Sequence, residues 1–281
     1  MTERSITVRS GIGCAAHVIQ VRPLLVRNIN VDDPTIILIR HGTKRIRWSG
    51  NELYLQAGEV VIIGSGESFD VINTPGENGR YEADWLSFNP DLVSRYVCRN
   101  QHCLPVSDAR KLKITSDSFR RAFYHTTEIF RDLSAIPQSV AIGRMQEMLS
   151  WLDEYGICFG NFQRSGVERK VRKLVSSDAS HSWSTKSVAN QMGMSEATLR
   201  RKLRAENTSF SRLLVDVRMC RALTLLQVTD LSVTQIAFEV GYESPSKFSA
   251  RFRNRFGFCP GQVRTECRPA TATQGLTRMF S

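Results

Sequence analysis

Two kinds of side chain could give this sequence its chemistry: scattered thiols and imidazoles, and two short clusters rich in arginine, lysine and serine. The thiols are Cys14, Cys98, Cys103, Cys158, Cys220, Cys259 and Cys267. Their number is odd, no CxxC pair occurs, and Cys158 sits beside Phe159 in an apolar stretch. They read as reduced thiols of a cytoplasmic protein and not as a disulfide frame. Cys98 and Cys103 flank His102, which hints at metal or redox sensing, although a local pair with no second pair is more often incidental. His17 and His41 are isolated and no HxH triplet appears. The clustered imidazoles and carboxylate that hold a divalent ion in an enzyme are therefore missing. No catalytic residue, metal ligand or cofactor is expected.

The second kind of chemistry lies in two stretches of similar design. The first is Thr185-Lys-Ser-Val-Ala-Asn-Gln-Met-Gly-Met-Ser-Glu-Ala-Thr-Leu-Arg-Arg-Lys-Leu-Arg204, and the second runs from Ser232 to Asn254. In each, a short helix carrying a core alanine (Ala189, Ala237) reaches a glycine (Gly193, Gly241). A new helix then starts at a serine, Ser195 or Ser244, whose hydroxyl can cap it. Pro245 is well placed at a first helical position, where its missing N–H would have had no partner. Leu199 and Leu203 in the first stretch, and Phe248 and Phe252 in the second, turn inward. That leaves Glu196, Ala197, Thr198, Arg200, Arg201 and Arg204 outward on one helix. On the other, Ser246, Lys247, Ser249, Ala250, Arg251 and Arg253 are left outward. A helix laid in the major groove reads base edges from its N-terminal outward residues. Arginine, lysine and serine suit guanine and mixed contacts, and more peripheral cations fix position on phosphates.

The elements that must position these helices follow from apolar spacing. Phe210, Leu213, Leu214, Val217, Leu225 and Leu226 predict one amphipathic helix over Phe210–Val228. Nineteen residues at about 1.5 Å each span roughly 28 Å, close to the ~34 Å between successive major-groove faces. Charge supports the same region. Residues 161–281 hold 20 Lys/Arg against 9 Asp/Glu, whereas residues 1–160 hold 18 of each, so the net +11 resides entirely in the C-terminal part. A localised positive field of that size attracts polyanions.

The N-terminal part reads differently. Ile36–Ile39, Ile46–Trp48, Leu53–Leu55, Val60–Ile63, Phe69–Ile72 and Tyr81–Phe88 are short strand-like runs punctuated by Gly, Pro and Asn. They suggest a small sandwich or barrel. After residue 95 the period lengthens. Phe119, Phe123, Ile129, Phe130 and Leu133 share a helical face after a cap at Ser116 or Asp117. Val140, Met145, Met148, Leu149 and Leu152 form a second apolar stripe after Pro137. That stripe is either core or a contact with a second subunit. Residues 161–166 read as the domain junction and residues 266–281 as a mobile tail. The N-terminus lacks an apolar signal run, and no stretch approaches the ~18 apolar residues of a spanning helix. No membrane partner is expected.

Over residues 170–265 the sequence resembles the DNA-binding domain of the AraC/XylS family of transcription regulators. The resemblance is carried by Ala189, Gly193, Met194-Ser195, Leu199-Arg200-Arg201, Ser209-Phe210, Arg218, Ala222, Leu226, Ile236-Ala237, Gly241-Tyr242, Ser244, Phe248-Ser249, Phe252, Gly257, Pro260 and Arg264. Three positions depart from the family pattern: Leu203 for Phe, Asn207 for Gly, and Ala250 for a polar reader. Matching positions make Ala197, Arg200 and Arg201, then Ser246, Lys247, Ser249 and Arg251, the implied readers, with Thr198 and Arg204 beside them.

The resemblance implies an α+β protein of two domains. Residues 1–160 would form a cupin-like β-barrel (about 1–95) with following helices (about 96–160), serving effector sensing and dimerisation. Residues 165–265 would form an all-α domain of two helix-turn-helix units joined by a long helix. It also implies double-stranded promoter DNA and RNA polymerase as partners, activation as the commoner mode, a homodimer, and a small-molecule or fatty-acid effector. Overall character is similar to the subgroup controlling virulence and acid-response genes in enteric bacteria. The competing readings are a metal-dependent cupin enzyme and a nonspecific DNA-compacting protein. The first lacks ligands, and the second needs charge but not distinct capped reading helices.

Overall fold

The computed structural model describes residues 5–100, 102–112, 116–131, 133–160 and 166–264. The expected junction at 161–165 and the tail at 266–281 lie outside them. Nine strands come first: β1 (Ser5–Arg9), β2 (Gly13–Gln20), β3 (Leu24–Asn30), β4 (Thr35–His41), β5 (Thr43–Trp48), β6 (Asn51–Leu55), β7 (Val60–Ile63), β8 (Ser68–Thr74) and β9 (Tyr81–Phe88). Then follow α1 (Pro90–Arg95), β10 (Leu104–Val106), β11 (Ala109–Lys111), α2 (Asp117–Thr127), α3 (Gln138–Glu154) and β12 (Ile157–Phe159). The C-terminal part is helical: α4 (Val167–Ser177), α5 (Thr185–Gln191), α6 (Glu196–Ala205), α7 (Phe210–Val228), α8 (Val233–Glu239) and α9 (Pro245–Phe256).

Two separate sheets make the sandwich, with orders β1-β2-β9-β4-β7-β11 and β3-β8-β5-β6, and β10 and β12 pair apart from them. The expected barrel is thus not closed: no hydrogen-bonded ladder joins the sheets among the described residues, and the architecture is an open sandwich. The chain changes sheet at tight corners, as between β4 and β5. There Gly42 has φ +77°, and a Cβ would meet the carbonyl oxygen of Thr74 at 2.4 Å. A corner this sharp carries the chain across the sandwich without a ladder bond.

Side-chain alternation explains the apolar run in β4. Ile36 and Leu38 face a core shared with α2 and α3, whereas Ile37 and Ile39 face the opposite sheet, so both faces are buried. Ser116 caps α2 by accepting from the Phe119 N–H, and α3 starts after Pro137. Met145, Met148, Leu149 and Leu152 are buried in the chain's own core, but Val140 is exposed and does not join them. Leu133 is exposed as well. The helical face ends sooner than spacing predicts, because α2 stops at Thr127 and a 3-10 turn (Glu128–Phe130) redirects the chain.

The long helix α7 spans the predicted residues but is not one-sided. Phe210, Leu213 and Val217 belong to the core of the first helix-turn-helix unit. Met219, Ala222, Leu223, Leu225 and Leu226 belong to that of the second, and Val228 to the sandwich interior. A helix that serves three cores in succession is buried on most of its circumference, so no single apolar stripe describes it.

Polar groups interrupt the sandwich interior. The Lys44 ammonium is buried, donates to Asn73 Oδ1 at 2.9 Å, and lies 5.7 Å from the Tyr81 ring centroid. Asn73 Nδ2 and Gln227 Nε2 both donate to Gln20 Oε1, at 3.2 and 3.3 Å. Burial pushes the Lys44 amine down from 10.5 to about 7. Above that value the folded state holds fewer protons than the unfolded chain, so stability rises with pH until the unfolded lysine also deprotonates. Chemical denaturation between about pH 8 and 10 should show a stability slope about 1.4 kcal/mol per pH unit steeper in the parent than in Lys44→Met. Equal slopes would contradict the burial of an unpaired amine.

Candidate nucleic-acid interface

Each helix-turn-helix unit is built by short-range hydrogen bonds at its caps. Ser184 and Ser232 form capping boxes that start α5 and α8, with Ser187 and Gln235 as the reciprocal partners. Ser195 and Ser244 accept from the N–H groups of Thr198 and Lys247 and so start α6 and α9. In the second unit Gly241 has φ +78°, and a Cβ would meet the Arg218 guanidinium at 2.6 Å, so glycine is required. Asn207 has φ +57°, a left-handed conformation that asparagine tolerates better than most residues, which accounts for its replacing the usual glycine.

Those caps set the outward faces. Ala197, Arg200, Arg201 and Arg204 on α6 are exposed, as are Ser246, Lys247 and Arg251 on α9, while Thr198 and Ser249 are half-buried. Two of these side chains are engaged within the protein. Thr198 Oγ1 lies 3.0 Å from Ser195 Oγ, and Arg200 pairs with Glu196 one turn earlier at 3.0 Å. The Arg200 pair is exposed, so separating it to meet a base costs less than ~1 kcal/mol. Arg201 and Lys247 project without an ion-pair partner among the described residues.

Sequence spacing gave no signal for the contacts that hold these helices in place. Asp216, near the middle of α7, accepts from Arg172 of α4 at 2.6 Å, from Arg255 of α9 at 2.7 Å and from Asn30 of β3 at 3.0 Å. Burial alone would raise its carboxyl, but the two guanidinium groups outweigh that and hold it below the ordinary carboxylate value. Arg255 also donates to the backbone oxygens of Arg27 and Asn28 at 2.8 and 2.6 Å, tying α9 to the sandwich. Glu206, just past α6, accepts from the first two N–H groups of α4 at 2.9 and 2.6 Å. Arg218 donates to the carbonyls of Ala179, His181 and Gly241, and Arg264 donates to those of Leu225, Leu226, Thr229 and Leu231 around the end of α7. Leu24 and Val26 of β3 complete the core of the second unit.

His17 is not isolated. The β2–β9 register sets it opposite Asp84, with Nδ1 2.7 Å from Oδ1 and Glu82 at 4.0 Å, a pairing across 67 residues that spacing could not reveal. One imidazole is still not the clustered set that a metal enzyme needs.

Residues 188–266 match the helix-turn-helix domain family. Across most of its length the chain is 40% identical to the HTH-type transcriptional regulator YdeO of Escherichia coli, covering 83% of this chain and 91% of that protein. The chain belongs to the AraC/XylS family of transcription regulators. It is therefore a sequence-specific DNA-binding regulator. Its fold is that of ToxT of Vibrio cholerae. The apo form of that protein superposes with a TM-score of 0.65 at 14% identity, covering 93% of this chain and 98% of that one. The unsaturated-fatty-acid-bound form gives 0.60 at 14% identity, over 93% and 96%. Both are at an identity where only the fold is shared. No helix among the described residues is long and apolar enough to cross a membrane.

The geometry of this AraC-type unit makes three substitutions informative. Asp216→Ala leaves two guanidinium groups facing a half-buried void, and should lower folding stability by about 3 kcal/mol in a denaturant titration. A loss below about 1 kcal/mol would show that the clamp is peripheral. Arg201→Ala should weaken specific DNA binding by ~1–3 kcal/mol. Arg204→Ala should weaken all sequences alike and reduce the salt slope by about one, as gel-shift titrations would read.

Proposed function

We propose that this regulator places α6 and α9 in successive major grooves on one side of promoter DNA and acts mainly as an activator. The observation that carries this reading is the pairing of two capped, cationic helices, one before and one after the nineteen-residue helix α7. Ala197, Thr198, Arg200 and Arg201 would face bases in one groove, and Ser246, Lys247, Ser249 and Arg251 those in the next, with Arg204 on phosphate. Ala250 offers only a methyl group, so that position favours apolar contact, for instance with a thymine methyl. RNA polymerase is the protein partner this role requires, and a homodimer would supply a second pair of reading helices.

Residues 1–160 would control the reader. A fatty-acid-bound form is known for ToxT, and an acidic effector is compatible with this sandwich. Lys44 is buried with no carboxylate among its partners, and the Tyr81 hydroxyl is buried without a hydrogen-bond partner. Through Asn73, Gln20 and Gln227 that interior is linked to the end of α7.

The decisive measurement maps bound sites genome-wide and compares them with transcript changes on deletion, followed by salt titrations on the recovered fragments. Specific sites should bind at least ~10³-fold tighter than random DNA at physiological salt, and transcripts beside them should fall in the deletion strain. Binding without preference would exclude base reading, and rising transcripts would identify a repressor.

A further inference from the structure

The thiols that look scattered in the sequence are not scattered in the fold. β10 and β12 pair in parallel, with Pro105 opposite Cys158, which brings the segment after α3 beside the Cys98–Cys103 loop. The sulfur atoms of Cys98, Cys103 and Cys158 all lie within 4.8 Å of one another, and all three residues are half-buried. Asp153, at the end of α3, organises the group. Its Oδ1 accepts from the thiols of Cys98 and Cys103 at 3.0 and 3.1 Å, and its carboxylate also accepts from the backbone N–H groups of Arg99 and Asn100 at 2.7 and 3.0 Å. The carboxylate thus gathers the backbone of Arg99 and Asn100 and two of the three thiols in one place.

We propose that Cys98, Cys103 and Cys158 form a binding site for a thiophilic divalent cation of the Zn2+ class, with the Asp153 carboxylate orienting two of the thiols and solvent completing the coordination. Three thiolates make a donor set suited to Zn2+ and Cd2+ and poorly suited to Mg2+ or Ca2+. Tetrahedral Zn–S bonds of about 2.3 Å place sulfurs about 3.8 Å apart, within a small side-chain adjustment of the present spacing. Binding exchanges protons for the ion: three thiols release three protons as three metal–sulfur bonds form. The ion would pin β12, the last described strand before α4, to the loop that follows α1. It would thus act where the chain passes from the sandwich to the DNA-binding helices.

The test uses the full-length protein, reduced and freed of metal under anaerobic conditions. Titration with Co2+ should give a sulfur-to-cobalt charge-transfer band that saturates at one equivalent and is displaced by Zn2+ or Cd2+. Native mass spectrometry should show one Zn2+ per chain, and weakly buffered solution should acidify by about three protons per ion bound. Cys158→Ser and, independently, Cys98→Ser should each abolish the band or weaken binding at least tenfold. Cys259→Ser, at an exposed position far along the chain, should bind as the parent does. Circular dichroism of each variant checks that the fold is kept. Absence of a thiolate band in the folded parent would overturn the proposal. So would undiminished binding in both site variants, or a Cys98–Cys103 disulfide forming on mild oxidation with no metal taken up.

Discussion

Asp216 is the constraint on which the reading geometry depends. A carboxylate at the middle of a largely buried helix would be costly alone, and it is stable there because two guanidinium groups and an amide converge on it. Those partners come from α4, α9 and β3. The same carboxylate thus ties the helix preceding the first unit, the second helix of the second unit, and the N-terminal sandwich to α7. The relation between the two helix-turn-helix units is set jointly by one rigid helix and by one charge that each side must satisfy. Arg255 strengthens the link by also saturating two carbonyls of β3, so α9 cannot reorient without exposing polar groups on both sides.

Hydrophobic packing distributes the same logic along α7. Its first half is needed by one helix-turn-helix unit, most of its second half by the other, and its last residue by the sandwich. Leu24 and Val26 reach from the N-terminal part into the second unit's core, so the apolar surface of the helical part is finished by the sandwich. A change inside the sandwich has a short physical path to α7 through Lys44, Asn73, Gln20 and Gln227. Each of these is buried and each would be left unsatisfied if its neighbour moved.

How legible the molecule is in its sequence depends on the range of the interaction. Ser195 and Ser244 announce their helices because a cap is settled within three residues. The run Ile36–Ile39 announces a strand because its β-branched side chains act locally, whereas its burial on both faces emerged only from the fold. The outward set on α6 and α9 follows from the 3.6-residue period and needs no partner elsewhere. Leu133 is misread because a 3-10 turn breaks the period, and Val140 because the first turn of α3 stands exposed beyond the core. The barrel is misread because sheet closure depends on corners such as Gly42 and not on strand content.

Local sequence was enough for the two capped helices α6 and α9, the helix that joins them, the location of the positive charge and the family. All of these rest on spacings and free energies fixed within a turn or two of chain. Only the tertiary structure decided that Asp216 gathers Arg172, Arg255 and Asn30, that His17 meets Asp84, and that Cys158 joins Cys98 and Cys103 around Asp153. Those meetings bridge up to 186 residues. They are set by strand register and by which faces must be buried, quantities that exist only once the whole chain has packed.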